Sequence, residues 1–178
     1  NGPAPAIRGS IKALQSINDL RVDLVGDQDI INQARVSIDM PLKERITIIH
    51  TKEFIKMDED ILTAIRNKKQ SSMRLSINRV KNNEAHACVS AGNTGALMSL
   101  SKIILKTIDG IDRPAICTSL PTKKKFMQVL DLGANIECND QNLVDFAKLG
   151  SALYKSLFPL DKPKVSLLNV GSEEIKGT

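Results

Sequence analysis

The stretch HACVSAGNTGALMSLSKIILKTIDG, residues 86–110, runs from a short apolar segment through Ala-Gly-Asn-Thr-Gly into an amphipathic segment. Its periodicity predicts a strand over 85–90, a glycine turn, and a helix over 94–107. Gly92 and Gly95 suit a tight backbone turn, and Asn93 or Thr94 can cap the helix behind it. Free amides in the first helical turn, at the positive end of the macrodipole, favour a phosphate. An ordinary strand-to-helix turn has the same pattern. The segment is neither a G-x-G-x-x-G fingerprint nor a Walker loop ending in Gly-Lys-Ser/Thr.

The same alternation extends in both directions. Ala6, Ile7, Ile11, Leu14 and Ile17 share one helical face, 20–25 reads as a strand closed by Gly26-Asp27, and 29–34 as a short helix. The β-branched run 46–50 predicts a second strand, followed by a helix over 58–69 with Ile61, Leu62 and Ile65 inward and another over 72–81. Beyond residue 110, strands are expected near 115–118, 127–131 and 165–170. Asn139 or Asp140 can cap a long helix reaching about residue 158, with Leu143, Phe146, Ala147, Leu149 and Leu153 on its buried side. Strands without clean polar alternation, separated by helices, predict an α/β fold with a mostly parallel sheet covered on both faces.

Composition restricts the function classes. A chain of 178 residues with 42% apolar and 25% charged residues fits one globular domain, 1–178, and no run of about 18 apolar residues could span a bilayer. Cys88, Cys117 and Cys138 are odd in number and widely spaced, and only His50 and His86 could join them, so neither a disulfide framework nor a metal site is indicated. A reducing cytoplasm fits that usage. A net charge of +5 favours acidic partners, whereas 3% aromatic residues provide few stacking platforms for nucleic acid.

In open parallel sheets, ligands bind beyond the carboxyl ends of the strands. Besides 90–95, two loops follow predicted strands: Asp131-Leu132-Gly133-Ala134-Asn135, and the segment from Asn169 to Gly177 that contains Lys176. All three are expected on one rim. Taken singly, the Asp131 loop also reads as a capped turn, and Lys176 as a solvated lysine beside Glu173 and Glu174. Arg66, Lys68, Lys69 and Arg74 surround Ser71 and Ser72, which makes either a phosphate-binding corner or an exposed charged face. Lys123, Lys124 and Lys125 read as a solvated turn.

Taken in order and spacing, RNKKQSSM (66–73), SAGNTGALM (90–98), GIDRPA (110–115), LPT (120–122), LDLGAN (130–135) and LLNVGSEEIKG (167–177) resemble the PlsX-type phosphate acyltransferases of bacterial phospholipid synthesis. The likeness covers nearly the whole chain. It implies a Rossmann-like α/β/α three-layer fold, related to the phosphate acetyltransferase and isocitrate dehydrogenase-like group. The implied reaction is acyl transfer from acyl-[acyl carrier protein] to inorganic phosphate, without metal or cofactor. It further implies a homodimer in the cytoplasm, in peripheral contact with the anionic inner membrane. Relative to that family the sequence begins after an opening Asp-Ala-Met-Gly-Gly-Asp segment and ends just beyond Lys176. The functional expectation therefore attaches to the protein of natural length.

Carried over by motif, the resemblance implies a phosphate cradle at Gly92, Asn93, Thr94 and Gly95, supported by Lys69, Ser71 and Ser72. Lys176 matches the family's important lysine, with Asn135 and Asn169 as neutral donors at the rim. Competing readings are a coenzyme A-dependent phosphate acetyl- or butyryltransferase, a related dehydrogenase, and a non-catalytic phosphate-binding module.

Overall fold

A computed structural model describes residues 3–34, 39–133, 135, 137–159 and 161–168. Its contacts divide the chain into two compact units, 1–107 and 108–178.

Unit 1 begins with α1, Pro3–Ser16, which buries Ile7 and Leu14 two turns apart on one face. The guanidinium of Arg45 closes this helix from outside, donating to the carbonyls of Leu14 (2.8 Å), Ile17 (2.6 Å) and Leu20 (2.9 Å). A cation at that end also complements the helix dipole. Next come β1 (Val22–Gly26), α2 (Gln28–Ala34), α3 (Met40–Lys43) and β2 (Ile46–His50). β1 and β2 pair in parallel, from Val22 opposite Ile46 to Gly26 opposite His50. Leu24, Ile31 and Ile46 join Ile7 and Leu14 in one apolar cluster, so the helices cover the strand pair.

The rest of unit 1 is helical: α4 (Ile61–Asn67), α5 (Ser72–Lys81) and α6 (Thr94–Leu105). Ala64, Ile65, Met73, Ile77, Ala96, Leu100 and Ile104 form a second cluster. Arg79 ties it to the sheet, donating to Asp23 on β1 (2.7 Å) and to Glu84 (2.7 Å). α4 starts at Ile61 because the Asp60 carboxylate accepts from the Thr63 amide (2.8 Å). That start sets the helical phase, which turns Leu62 outward and not inward as the periodicity suggested.

Unit 2 contains β3 (Cys117–Pro121), β4 (Phe126–Leu130) and α7 (Asp140–Leu157). A reciprocal capping box between Asn139 and Asn142 starts α7. The helix lies close on β4, since a side chain at Gly150 would come within 2.7 Å of Leu130 Cδ1. Phe146 is buried, whereas Leu153 is exposed.

Three sheet expectations are corrected. β3 and β4 pair antiparallel, with Cys117 opposite Leu130, so the described ladders are one parallel and one antiparallel pair and not a mostly parallel sheet. Loop length is the reason, because the four residues 122–125 can join only antiparallel neighbours. Residues 85–90 form no ladder; Cys88 packs against the second cluster, but Val89 is 97% exposed. Residues 165–168 likewise form none, and the remainder of that predicted strand lies outside the described residues. Among the described residues, no helix is long and apolar enough to cross a membrane.

Candidate functional site

The glycine loop precedes α6. The Asn93 carboxamide oxygen accepts from the Ala96 amide (2.9 Å), and its Nδ2 donates to the Met57 carbonyl (2.9 Å), so both ends of this side chain are engaged within unit 1. Thr94 is exposed at the first turn. Neither Gly92 nor Gly95 has a positive φ, and both face the close approach of a neighbouring side chain instead. A Cβ at Gly95 would lie 2.6 Å from Ile61 Cδ1 on α4, and one at Gly92 would lie 3.0 Å from Met73 Cε on α5. The glycine loop therefore packs close to the side chains of Ile61 on α4 and Met73 on α5.

That serine corner is built differently. Ser71 is fully buried, and its hydroxyl donates back to the Lys68 carbonyl (3.1 Å) instead of capping α5. The first-turn amides of α5 consequently receive no oxygen from their N-cap side chain. Ser72 is partly buried, and its amide donates to the Glu53 carbonyl (2.9 Å). The surrounding cations divide between roles. Lys68 donates to Glu59 and to the Phe54 carbonyl, and the hydrogen bond it makes holds the Glu59 carboxyl below its usual range. Arg74 Nη2 (2.8 Å) and Lys69 Nζ (3.4 Å) both reach the Ile65 carbonyl in the last turn of α4, where positive charge is favourable. Lys69 is otherwise exposed.

Two side chains that no motif reading singled out hold this corner. Thr51 Oγ1 donates to the Gln70 carbonyl (2.7 Å) and accepts from the Glu53 amide (3.1 Å), while Glu53 Oε2 accepts from the Gln70 amide (2.6 Å). Only their position, just after a β-branched strand, could have pointed to them.

In unit 2, Asp131 adopts φ +60° at the end of β4. Its Oδ1 accepts from the Asn135 amide (3.1 Å) and Nδ2 (3.0 Å), and its Oδ2 accepts from the Cys138 thiol (3.3 Å). Asn135 Nδ2 also donates to the Pro114 carbonyl (3.1 Å). This is the capped-turn geometry, with the Asp131 carboxylate and the Asn135 amide already partnered. Burial, then the hydrogen bond and charge of Asp131, push the Cys138 thiol up. Asn169 and Lys176 lie outside the described residues. Gly92, Asn93, Thr94 and Gly95 lie in the loop at the start of α6, and Ser71 and Ser72 at the start of α5; the loop after β2 is hydrogen-bonded to both places, through the Met57 carbonyl to Asn93 and through the Glu53 carbonyl to the Ser72 amide.

A strand pair with covering helices, and a glycine loop opening α6, define an α/β protein with a candidate anion site. The sequence model of the family described as fatty acid synthesis protein matches residues 1–178, and the chain belongs to that family. Among curated relatives it is 46% identical over 177 residues to a phosphate acyltransferase of Hydrogenovibrio crunogenus. It is 48% identical over 177 residues to that of Shewanella halifaxensis and 45% identical over 177 to that of Nitrosococcus oceani. Each match covers 99% of this chain and 52% of the relative, so the chain spans about half the length of the curated relatives it matches.

Proposed function

We propose that the natural-length protein transfers a fatty acyl group from acyl-[acyl carrier protein] to inorganic phosphate, forming an acyl phosphate and free carrier protein for phospholipid synthesis. The observation that carries this reading is the glycine loop at the Asn93-capped start of α6, a helix N-terminus suited to an anion, in a chain whose relatives are named phosphate acyltransferases. Phosphate is the nucleophile. One of its oxygens attacks the thioester carbonyl carbon, the tetrahedral oxyanion collapses, and the C–S bond breaks to release a thiolate that takes up a proton from water. Neither an enzyme nucleophile nor a metal is needed, so catalysis consists of positioning and charge stabilisation.

In this proposal Gly92, Asn93, Thr94 and Gly95 cradle phosphate through backbone amides and the Thr94 hydroxyl, Asn93 acting as the cap that orients them. Lys69 supplies charge, Ser72 borders the site, and Ser71 holds the corner from its buried position. Lys176 neutralises phosphate or the developing oxyanion, with Asn169 as a neutral donor, while Asn135 stays engaged with Asp131 and the Pro114 carbonyl. Loss of one oxyanion donor typically costs about 3 kcal/mol of transition-state stabilisation. The proposal includes a single domain over 1–178 with Rossmann-like α/β/α layering, akin to phosphate acetyltransferases and isocitrate dehydrogenase-like enzymes. It also includes a homodimer in the cytoplasm, held peripherally at the anionic inner membrane.

The test is phosphate-dependent release of carrier-protein thiol from a long-chain acyl carrier substrate by the natural-length protein. Release that requires phosphate and yields a hydroxylamine-trappable acyl phosphate supports the proposal. Turnover with acyl-coenzyme A alone reassigns the donor, and phosphate binding without turnover reduces the site to a binding module. A Lys176→Ala protein with unchanged turnover removes that lysine from the mechanism.

A further inference from the structure

We infer that Thr51 and Glu53 are positioning residues of the phosphate site, fixing the serine corner through the same loop that holds the cap of α6. The inference rests on the phosphate-site reading above and extends it to residues that touch no ligand. Its physical basis is that the peptide groups around Gln70 are gripped from two sides: the carbonyl by the Thr51 hydroxyl (2.7 Å), the amide by the Glu53 carboxylate (2.6 Å). The Glu53 carbonyl then takes the Ser72 amide (2.9 Å). Three hydrogen bonds from one short loop therefore fix residues 70–72, where Ser71 does not cap its own helix.

The grip is itself anchored to the sheet. Thr51 is 8% exposed, and its amide donates to the Gly26 carbonyl (2.9 Å), carrying the parallel pairing one residue past His50. Further along the same loop, the Met57 carbonyl accepts from Asn93 Nδ2. The loop after β2 thus holds the serine corner at one end and the cap of α6 at the other. A buried hydroxyl that both donates and accepts is poorly replaced by an apolar group, because its partners stay behind unpaired.

The experiment measures steady-state thiol release by the natural-length protein while phosphate and acyl donor are varied separately. Thr51→Val removes both hydrogen bonds at constant shape and is expected to raise the KM for phosphate about tenfold, leaving the KM for the acyl donor unchanged. Thr51→Ser keeps the hydroxyl and is expected to stay within about twofold of the wild type. Glu53→Gln keeps the shape but weakens the charge-assisted bond, and about a threefold rise in phosphate KM is expected. A role confined to folding would lower the active fraction, hence apparent kcat, and move neither KM. That outcome, or an unchanged phosphate KM in Thr51→Val, overturns the inference. Should Thr51→Val fail to fold, Glu53→Gln decides alone, and its unchanged phosphate KM overturns the inference equally. Wild-type release that needs no phosphate overturns the underlying site reading, and with it this inference, before any variant is made.

Discussion

In unit 1 the glycine loop stands on α6, whose Ala96, Leu100 and Ile104 are buried against α4 and α5. In unit 2 the Asp131 turn is held by the carboxylate's own hydrogen bonds, and Phe146 is the one buried apolar residue among those described there. Leu120, Phe126, Met127 and Leu157 of that unit are exposed. Close packing fixes a loop through many small contacts, whereas a polar turn depends on two or three directional bonds. The glycine loop rests on the packed cluster and its cap is tied to the loop after β2, so the described part of the proposed phosphate cradle lies in unit 1.

The largest expected effect tests that contrast directly. Leu100 is fully buried, and Leu100→Ala should lower unfolding free energy by about 3 kcal/mol, while Leu157→Ala on exposed α7 should change it by less than about 0.5 kcal/mol in the same urea titration. Equal losses would dissolve the distinction between the units. Next in size is Asp131→Ala, expected to cost about 2 kcal/mol, since it strands the Asn135 amide and puts alanine at φ +60°. Asp131→Gly should cost less, because glycine adopts that φ freely.

Gly95→Ala forces Ile61 to move and should cost about 1–2 kcal/mol, with Gly92→Ala milder because the flexible end of Met73 can give way. A reversed order would mean that the loop follows α5 and not α4. Removing the cap with Asn93→Ala should cost about 1 kcal/mol, read as a lower melting temperature. The smallest effect is kinetic. A raised pKa leaves less thiolate, so Cys138 should alkylate more slowly at pH 8 than an unhindered thiol and speed up only as pH rises further. Asp131→Asn should accelerate Cys138, yet leave Cys88, which is raised by burial alone, unchanged. Equal acceleration of both would place the effect of Asp131 outside its local turn.

Much of the fold was legible in the chain itself. The runs 46–50, 72–81 and 94–107 appear as β2, α5 and α6 within a residue or two, because apolar spacing and the Asn93 cap act locally. Of the proposed site, the motifs named the glycine loop and the serine corner but not Thr51 and Glu53. Those two act through backbone groups about twenty residues away, and nothing in local spacing encodes such partners. The strand expected at 85–90 illustrates the converse, since a β-run becomes a strand only where another backbone meets its amides.

By itself, the sequence determined the α/β class, the helix starts and the family likeness, all of which rest on neighbours within a few residues or on motifs in register. Tertiary structure decided that residues 85–90 join no ladder, that Gly95 serves for room and not for φ, and that the loop after β2 grips the serine corner. Each of these depends on which distant atoms come within van der Waals or hydrogen-bonding distance. Packing sets that distance, and no pattern along the chain records it.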